Sequence, residues 1–382
     1  MHTQKFRAMA MIGVAGGALG LLCAGVPAGC SADGGATTTS RRGPTRSEKP
    51  RAAEPEVVTP RDTGPVSPRI KPFSAAERAS LRERAITLLS NTAQAGSPEE
   101  RANALEGLVQ VPTRLAGVAE IALKDPNPGV RAVAAMSIGK AKLTALAPRL
   151  RPLAQDENPF VRAGALFALK QCGAPVDITP LAGMLFDTSA GVRAHAAYIL
   201  GELGEKSAIG PLREAHKVSS GRASQTAVRL SDLQLAEARV KLGDDSALAD
   251  IRAALYPAKP EDLEAAALAV QIVGQIKDAV SINRLIELTA QADPGGQDMP
   301  GEIRMAAAAS LARLGQPHGS YIAREYFQGG KETLRAQAAS LFGETKRPEN
   351  LQLVSRLMDD PDGRVRVAAA AAVIKITDRA AE

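Results

Sequence analysis

Residue types that could catalyse a reaction or bind a metal are few in this sequence and widely spaced. The four histidines are His2, His195, His216 and His318. None lies in a His-Glu-x-x-His motif, no Cys-x-x-Cys pair occurs, and there is no Gly-x-Ser-x-Gly motif. We therefore predict a protein that is not an enzyme, with no catalytic residues, no metal site and no cofactor.

Arginine is the charged residue that recurs at regular spacing. Three Val-Arg pairs end at Arg131, Arg162 and Arg193, 31 residues apart. The equivalent positions along the chain, here termed the repeat arginine positions, are Arg101, Arg131, Arg162, Arg193, Asp232, Glu264, Arg304, Arg335 and Arg366. Six residues before an arginine stand Asp125, Asp156, Asp187 and Asp360. This spacing suits ion pairs across a turn or between neighbouring repeats, which would orient helices.

Signals for helix ends surround these arginines. Four residues before the arginine stand residues that favour helix N-caps: Ser97, Asn127, Asn158, Ser189 and Asp362. Proline follows the first three caps directly, at a helical position where a missing N–H does no harm. Eleven residues after the repeat arginine position stand Gly173, Gly204, Gly243 and Gly315. We predict that these glycines end helices by adopting a positive φ.

Apolar residues after each repeat arginine position follow a helical period. In the fourth unit, Val192, Ala196 and Leu200 lie on one helix face. A second, shorter apolar helix is predicted in each unit, so each unit is a helical hairpin, and Cys172 is expected to be a small core residue near a helix end. A fixed period of this length is typical of helical solenoids. We predict an all-α fold, a right-handed α-solenoid of about nine helical hairpins.

Four strings around the repeat arginines resemble HEAT repeats, especially the short variety known as PBS-lyase-like HEAT repeats. The strings cover residues 125–131, 156–162, 187–193 and 360–366, and the first reads Asp-Pro-Asn-Pro-Gly-Val-Arg. The resemblance covers about residues 74–378 and is weaker in the middle units. It implies a solenoid that holds other molecules, and it does not specify the partner, because such repeats serve many unrelated functions.

In HEAT-like solenoids the second helix of each pair lines the concave side. Positions two, five and nine residues past the repeat arginine are expected to point away from the core: Met136, Lys140, Phe167, Gln171, His195, Tyr198, Glu202, Gln234, Glu237 and Lys241. We predict that a protein or peptide partner binds this face, with Phe167 and Tyr198 as apolar anchors. The alternative is that these two aromatic side chains fill gaps between helices.

Two units are longer than the others by eight or nine residues. One insertion lies near residues 216–225 and the other within residues 291–301, where Asp293-Pro294-Gly295-Gly296 indicates a turn. Insertions in a repeat array form loops on one edge. These loops either bind a partner or are tolerated without a role.

The N-terminal 30 residues have the pattern of an export signal. Lys5 and Arg7 precede an apolar run, and Ala28-Gly29-Cys30 resembles the end of a bacterial lipobox. That resemblance implies lipidation at Cys30, although Pro27 stands where the lipobox pattern prefers leucine. The alternatives are ordinary cleavage, which would leave a secreted or periplasmic protein, and an uncleaved membrane anchor.

Residues 31–72 are rich in Ser, Thr, Gly, Pro and Arg and show no apolar period. We predict a disordered linker there, followed by the solenoid over residues 73–378. The net charge of the whole chain is +6. Most of it lies before the solenoid, because residues 31–71 contain eight Lys or Arg against five Asp or Glu and residues 1–30 add Lys5 and Arg7. The solenoid is therefore nearly neutral, which argues against a nucleic-acid partner.

The sequence thus predicts a non-enzymatic protein-binding scaffold of the bacterial cell envelope, attached to the membrane only through its N-terminus. A bilin lyase-like enzyme or helper subunit is an alternative that the resemblance raises. A self-associating structural protein of the envelope is another.

Overall fold

The computed structural model describes residues 72–379, except residues 219–220, 222, 293–295, 297 and 317–318. The predicted signal peptide of residues 1–30, with Cys30, lies outside the described residues. So does the predicted linker of residues 31–72, apart from Pro72.

Eighteen α-helices form two concentric layers in the described part of the chain. The outer helices are α1 (Ala75–Ala95), α3 (Pro112–Ala122), α5 (Ala147–Leu150), α7 (Thr179–Met184), α9 (Ile209–Ala215), α11 (Leu248–Ala253), α13 (Ile282–Leu288), α15 (Gly319–Tyr326) and α17 (Leu351–Leu357). The inner helices are α2 (Pro98–Gly107), α4 (Pro128–Lys140), α6 (Pro159–Gln171), α8 (Ala190–Leu203), α10 (Gln225–Lys241), α12 (Leu263–Gln275), α14 (Gly301–Arg313), α16 (Glu332–Thr345) and α18 (Gly363–Arg379).

No strand occurs among the described residues, where the β-structure consists of an isolated bridge between Ala292 and Asp298. Eight 3-10 turns accompany the helices at Leu108–Gln110, Thr144–Leu146, Pro152–Gln155, Lys206–Ala208, Asp245–Ala247, Pro260–Asp262, Ala279–Ser281 and Pro348–Asn350. Each outer helix packs on the inner helix that follows it. The predicted all-α solenoid of nine helical hairpins is confirmed.

Helix starts agree with the cap residues predicted from the sequence. Ser97 forms a complete capping box with Glu100 at the start of α2. Asn127 and Asn158 accept hydrogen bonds from backbone N–H groups in the first turns of α4 and α6. Ser189 occupies the N-cap position of α8, but its side chain accepts no capping hydrogen bond.

Helix ends also agree with the glycine positions predicted from the sequence. Gly173, Gly204, Gly243 and Gly315 all have positive φ, between 69° and 96°. Lysine occupies the same conformation at Lys142, Lys277 and Lys346. The left-handed residue after the inner helix is thus a feature of the repeat, and glycine is the residue type that adopts it with least strain.

Arginines and aspartates join neighbouring units in the predicted way. The guanidinium of Arg131 donates to the carboxylate of Asp156 in the next unit, at 3.0 and 3.1 Å, and to the carbonyl of Asp125 in its own turn, at 2.9 Å. Arg101 with Asp125 and Arg335 with Asp360 repeat this bidentate geometry. The pairs are half-buried and fix the angle between successive hairpins.

The array closes into a ring. Each inner helix packs against the next one, and the last inner helix, α18, packs against the first, α2. The outer helix α1 packs on α18 as well as on α2. One apolar core runs through this junction, since Leu89 of α1 and Val373 of α18 belong to the same cluster of buried side chains. The compact unit therefore has no exposed repeat at either end.

Small residues let the inner helices approach closely. A Cβ atom added at Gly139 of α4 would lie 2.8 Å from the Cα of Ala168 in α6, and one added at Gly343 of α16 would lie 3.0 Å from the Cα of Ala372 in α18. Larger side chains at these sites would push the inner helices apart. The tight inner layer gives the ring its small radius, so that nine units complete a turn.

Candidate functional site

The inner helices converge on a cavity at the ring axis. It has a volume of about 340 Å³ and is lined by side chains from seven of the nine inner helices, α2, α4, α8, α12, α14, α16 and α18. Its charged residues are Glu106, Lys140, Glu202, Arg313, Glu344 and Lys375. Five of these six stand nine residues after a repeat arginine position, so the repeat itself directs them to the axis.

Two cations share one carboxylate on one side of the cavity. Glu344 of α16 lies 2.8 Å from the Nζ of Lys375 in α18 and 3.3 Å from the Nη2 of Arg313 in α14. Burial opposes ionisation of this carboxyl, but the two cations overcome that effect and lower the pKa of Glu344 to about 2. Glu344 is therefore a carboxylate at neutral pH.

Two carboxylates share one cation on another side. The Nζ of Lys241 in α10 lies 2.6 Å from Glu202 of α8 and 2.6 Å from Glu237 of α10, and it stands 5.3 Å from the centre of the Tyr198 ring. Burial alone would lower the pKa of Lys241, but Glu237 and Glu202 raise it. Lys241 is therefore held as a cation.

Glu106 of α2 is the acidic side chain of the cavity with the least compensation from neighbouring groups. Its side chain is buried, and its Oε1 atom accepts no hydrogen bond. Lys140 of α4 lies 3.9 Å from that atom. Burial raises the pKa of Glu106, against the opposing charges of Lys140 and Lys375.

The structure corrects part of the predicted partner-binding face. Six of the ten residues predicted to point away from the core are 5% exposed or less: Met136, Phe167, His195, Tyr198, Gln234 and Glu237. They stand two or five residues after the repeat arginine position and face the neighbouring inner helices, and Tyr198 also borders the axial cavity. In a closed ring an inner helix has a neighbour on both sides, so these directions lead into helix–helix contacts rather than to solvent. The prediction that they are exposed is therefore wrong.

The other four residues of that face are Lys140, Gln171, Glu202 and Lys241, and they are half-buried or exposed at the inner surface. Lys140 and Glu202 line the axial cavity directly, and Lys241 pairs with Glu202. Their binding of a partner remains a prediction. The alternative interpretation of Phe167 and Tyr198, that they fill gaps between helices, agrees with their burial.

His195 shows how thoroughly the inner surface is closed. Its ring lies 5.4 Å from the ring of Phe160 in the preceding inner helix, and its Nε2 atom has no hydrogen-bond partner. Burial lowers the pKa of His195 to about 4, and the charge of Lys140 acts in the same direction. The imidazole is neutral at physiological pH and packs as part of the helix interface.

The first insertion borders a groove between α9 and α11. The groove has a volume of about 360 Å³, and its lining includes Leu212, His216, Asp232 and Leu233. Asp232 occupies a repeat arginine position, and burial raises the pKa of its carboxyl, while the nearby His216 opposes this. The second insertion lies between α13 and α14, and four of its residues are outside the described ones.

Large apolar side chains are exposed on the outer layer. Three consecutive outer elements carry four of them. Tyr256 follows α11, Val280 precedes α13, Ile286 lies in α13 and Tyr321 lies in α15. We term these four residues the outer apolar patch. Two further exposed apolar residues, Ile121 and Phe186, stand elsewhere in the ring. Single apolar residues on short outer helices carry no periodic signal, so the patch is not predictable from the sequence.

The described residues contain neither a metal-binding cluster nor a membrane-spanning helix. No group of three His, Cys, Asp or Glu side chains in this part of the chain could hold a metal ion. Within the same residues, no helix has both the length and the apolar character needed to cross a membrane.

Comparison with known proteins agrees with the repeat architecture. Residues 115–201 match the family model for HEAT repeats. No curated protein matches the chain at a significant level. The second to fourth hairpins are therefore similar to HEAT repeats.

Several solved structures resemble the chain only distantly. An engineered protein is 16% identical, with 80% of this chain and 92% of that chain covered and a TM-score of 0.30. A designed armadillo repeat protein is 16% identical, with coverage of 68% and 98% and a TM-score of 0.27. A Kap121p mutant is 10% identical, with coverage of 78% and 43% and a TM-score of 0.29. At such TM-scores these likenesses carry no argument about function.

Proposed function

We propose that the protein is a non-enzymatic scaffold that binds a protein partner on the outside of its ring. The observation that carries this proposal is the outer apolar patch. Tyr256 is 60% exposed, Val280 73% and Tyr321 53%, and all stand on consecutive outer elements. Contiguous exposed apolar surface marks protein-binding sites, and we infer that the side chains on these three consecutive elements form such a surface.

One contact in the patch has the character of a binding hot spot. The guanidinium of Arg284 stacks on the ring of Tyr256, 4.3 Å from its centre. Arg284 also donates to the carbonyl of Leu255 at 3.1 Å and to Glu287 at 2.8 Å, so the guanidinium is held in place. Tyrosine and arginine are enriched among residues that dominate binding energy, and a rigid pair loses little entropy on binding.

The size of the axial cavity supports an outer site over an inner one. A specific protein interface buries about 800 Å² on each partner. An axial space of about 340 Å³ cannot accept such a surface, whereas the outer helices offer it. We therefore propose that the HEAT-like solenoid binds its partner on the outer helices and not on the concave face.

We also propose that the scaffold works at the bacterial cell envelope. This rests on the leader-like residues 1–30 and on Cys30, which are outside the described residues. The proposal of lipidation at Cys30, and that of the PBS-lyase-like repeat subtype, rest on the sequence resemblance alone.

Affinity capture from the native cell envelope tests the proposal. The test variant is Tyr256→Ser with Ile286→Ser, and the matched control is Phe186→Ser with Ile121→Ser, which also removes one exposed aromatic and one exposed isoleucine. We expect one partner to be retained by the wild type and the control and lost by the test variant. Identical sets of captured proteins from all three would contradict an outer-patch scaffold.

A further inference from the structure

The charges around the axial cavity are unevenly distributed. In the group formed by Arg313, Glu344 and Lys375, two cations contact one carboxylate. In the group formed by Glu202, Glu237 and Lys241, two carboxylates contact one cation. These groups stand on α14–α16–α18 and on α8–α10, and they are separated by α12 on one side of the ring and by α2, α4 and α6 on the other. Basic side chains therefore predominate on one side of the cavity and acidic side chains on the other, although burial raises the pKa of Glu237.

Glu106 adds an unfilled hydrogen-bonding position. It lines the cavity, its side chain is buried, and its Oε1 atom has no hydrogen-bond partner. Leaving a buried carboxyl oxygen without a hydrogen-bond donor costs free energy. At 3.9 Å, the Nζ of Lys140 is too distant to serve as a hydrogen-bond donor. A ligand with a charged N–H donor would supply the missing bond.

The total charge of the lining limits which ligands fit. Three acidic and three basic side chains line the cavity: Glu106, Glu202 and Glu344 with Lys140, Arg313 and Lys375. A singly charged ligand would leave one charge uncompensated in a half-enclosed space, which is costly. A ligand that carries both signs keeps the balance and can satisfy both sides at once.

We propose that the axial cavity binds a small zwitterion of the size of an amino acid or dipeptide. Its carboxylate is bound by Arg313 and Lys375, and its ammonium group by Glu202 and Glu106. The amides of Asn103, Gln110 and Gln275, which also line the cavity, supply neutral hydrogen bonds. A volume of about 340 Å³ is at the lower end of the range of small-molecule sites, which suits such a ligand. This site is independent of the outer apolar patch and does not require the proposed scaffold function.

Calorimetric titration of the full chain tests the proposal. The probes are alanine, alanyl-alanine, N-acetyl-alanyl-alanine, which lacks the ammonium group, and alanyl-alanine amide, which lacks the carboxylate. We expect saturable binding of a free zwitterion and at least tenfold weaker binding of each blocked dipeptide. Because each blocked dipeptide differs from alanyl-alanine at one end only, this first comparison is made on the wild-type protein and needs no variant.

Two variants then assign the ends of the ligand. Arg313→Gln should weaken the zwitterion at least fivefold and leave the weak binding of the amide unchanged, because the amide has no carboxylate to lose. Glu202→Gln should weaken the zwitterion and leave the acetylated dipeptide unchanged. The controls are Arg149→Gln and Glu214→Gln, which remove the same charges from exposed ion pairs on outer helices. Circular dichroism and melting curves confirm that each variant is folded.

The proposal is overturned by any of three results. The first is no saturable binding of alanine or alanyl-alanine. The second is equal binding of free and blocked dipeptides. The third is binding that folded Arg313→Gln and Glu202→Gln proteins retain at wild-type strength.

Discussion

Arg82 on the first helix and Asp378 on the last helix form an ion pair. Two guanidinium nitrogens of Arg82, Nε and Nη2, donate to Oδ1 of Asp378 at 3.1 and 2.7 Å, although the residues are 296 positions apart in sequence. Arg84 and Asp359 form a second pair across the same junction. A half-exposed pair contributes little stability by itself. Its significance is geometric, because it marks where the two ends of the repeat array meet.

Gly107 at the closing junction should not tolerate a large side chain. A Cβ atom there would lie 3.0 Å from Leu89 of α1 and 3.2 Å from Ala371 of α18. We expect Gly107→Leu to lower the free energy of unfolding by about 1–3 kcal/mol through overpacking. Urea denaturation measures this. Gly117→Leu is the control, because a Cβ atom at Gly117 meets nothing within 4 Å. Equal stability of the two variants would contradict tight packing at the junction.

Val161→Asp should destabilise the ring by several kcal/mol. Val161 is fully buried in α6, so the new carboxylate would be an unpaired buried charge. Val280→Asp makes the same chemical change at an exposed site and should have a small effect. Thermal melting compares the two proteins. An unchanged melting curve for Val161→Asp would refute the assigned register of the repeat.

Phe167→Ala should lower stability rather than affect partner binding alone. Read as an exposed anchor, Phe167 could be truncated without loss of the fold, but the structure places it 2% exposed between inner helices. The expected cost is about 3–5 kcal/mol, because the substitution leaves a cavity. Phe186→Ala on the outer layer is the matched control. Chemical denaturation that finds Phe167→Ala as stable as the control would restore the exposed interpretation.

His195 should make the protein less stable in acid. Its pKa in the folded state is about 4, below the ordinary value of 6.5, so the unfolded chain takes up a proton first as the pH falls. The contribution of this residue to the free energy of unfolding is fully present above pH 6.5. It declines as the pH falls to 4, by about 3 kcal/mol in total. Denaturation at several pH values, for the wild type and for His195→Gln, isolates it. Parallel pH profiles for the two proteins would show that His195 does not titrate in this way.

The local structure of the repeat was predictable because its signals are local. Asn127 and Gly204 each act within a few residues, one as a cap for the next turn and the other by its positive φ. Lys142 adopts the same positive φ, but its side chain gives no such signal, so the sequence identified the glycine positions and not the lysine ones. The Arg–Asp pairs were predictable for a different reason: both residue types recur at a fixed position in each repeat, so neighbouring units bring them together.

Ring closure and the axial cavity were not predictable from these signals. Closing nine units requires a rotation of about 40° per unit, and small differences in each unit accumulate along a solenoid. The sequence period gives the number of units, whereas the rotation depends on how closely residues such as Gly139 and Gly343 let inner helices pack. In an open solenoid, positions such as Tyr198 and Glu237 would lie on an exposed concave face. The prediction that they are exposed is wrong because the ring is closed.

The distance between the two ends of the array tests the closed ring most directly. Spin labels at Arg84→Cys and Asp359→Cys, in a protein whose Cys23, Cys30 and Cys172 are replaced, would be measured by pulsed electron paramagnetic resonance. Because these residues form an ion pair across the junction, we predict a single narrow distance no longer than the two label arms allow. A long or broad distribution would mean that the solenoid is open in solution and would contradict the axial cavity together with the ring.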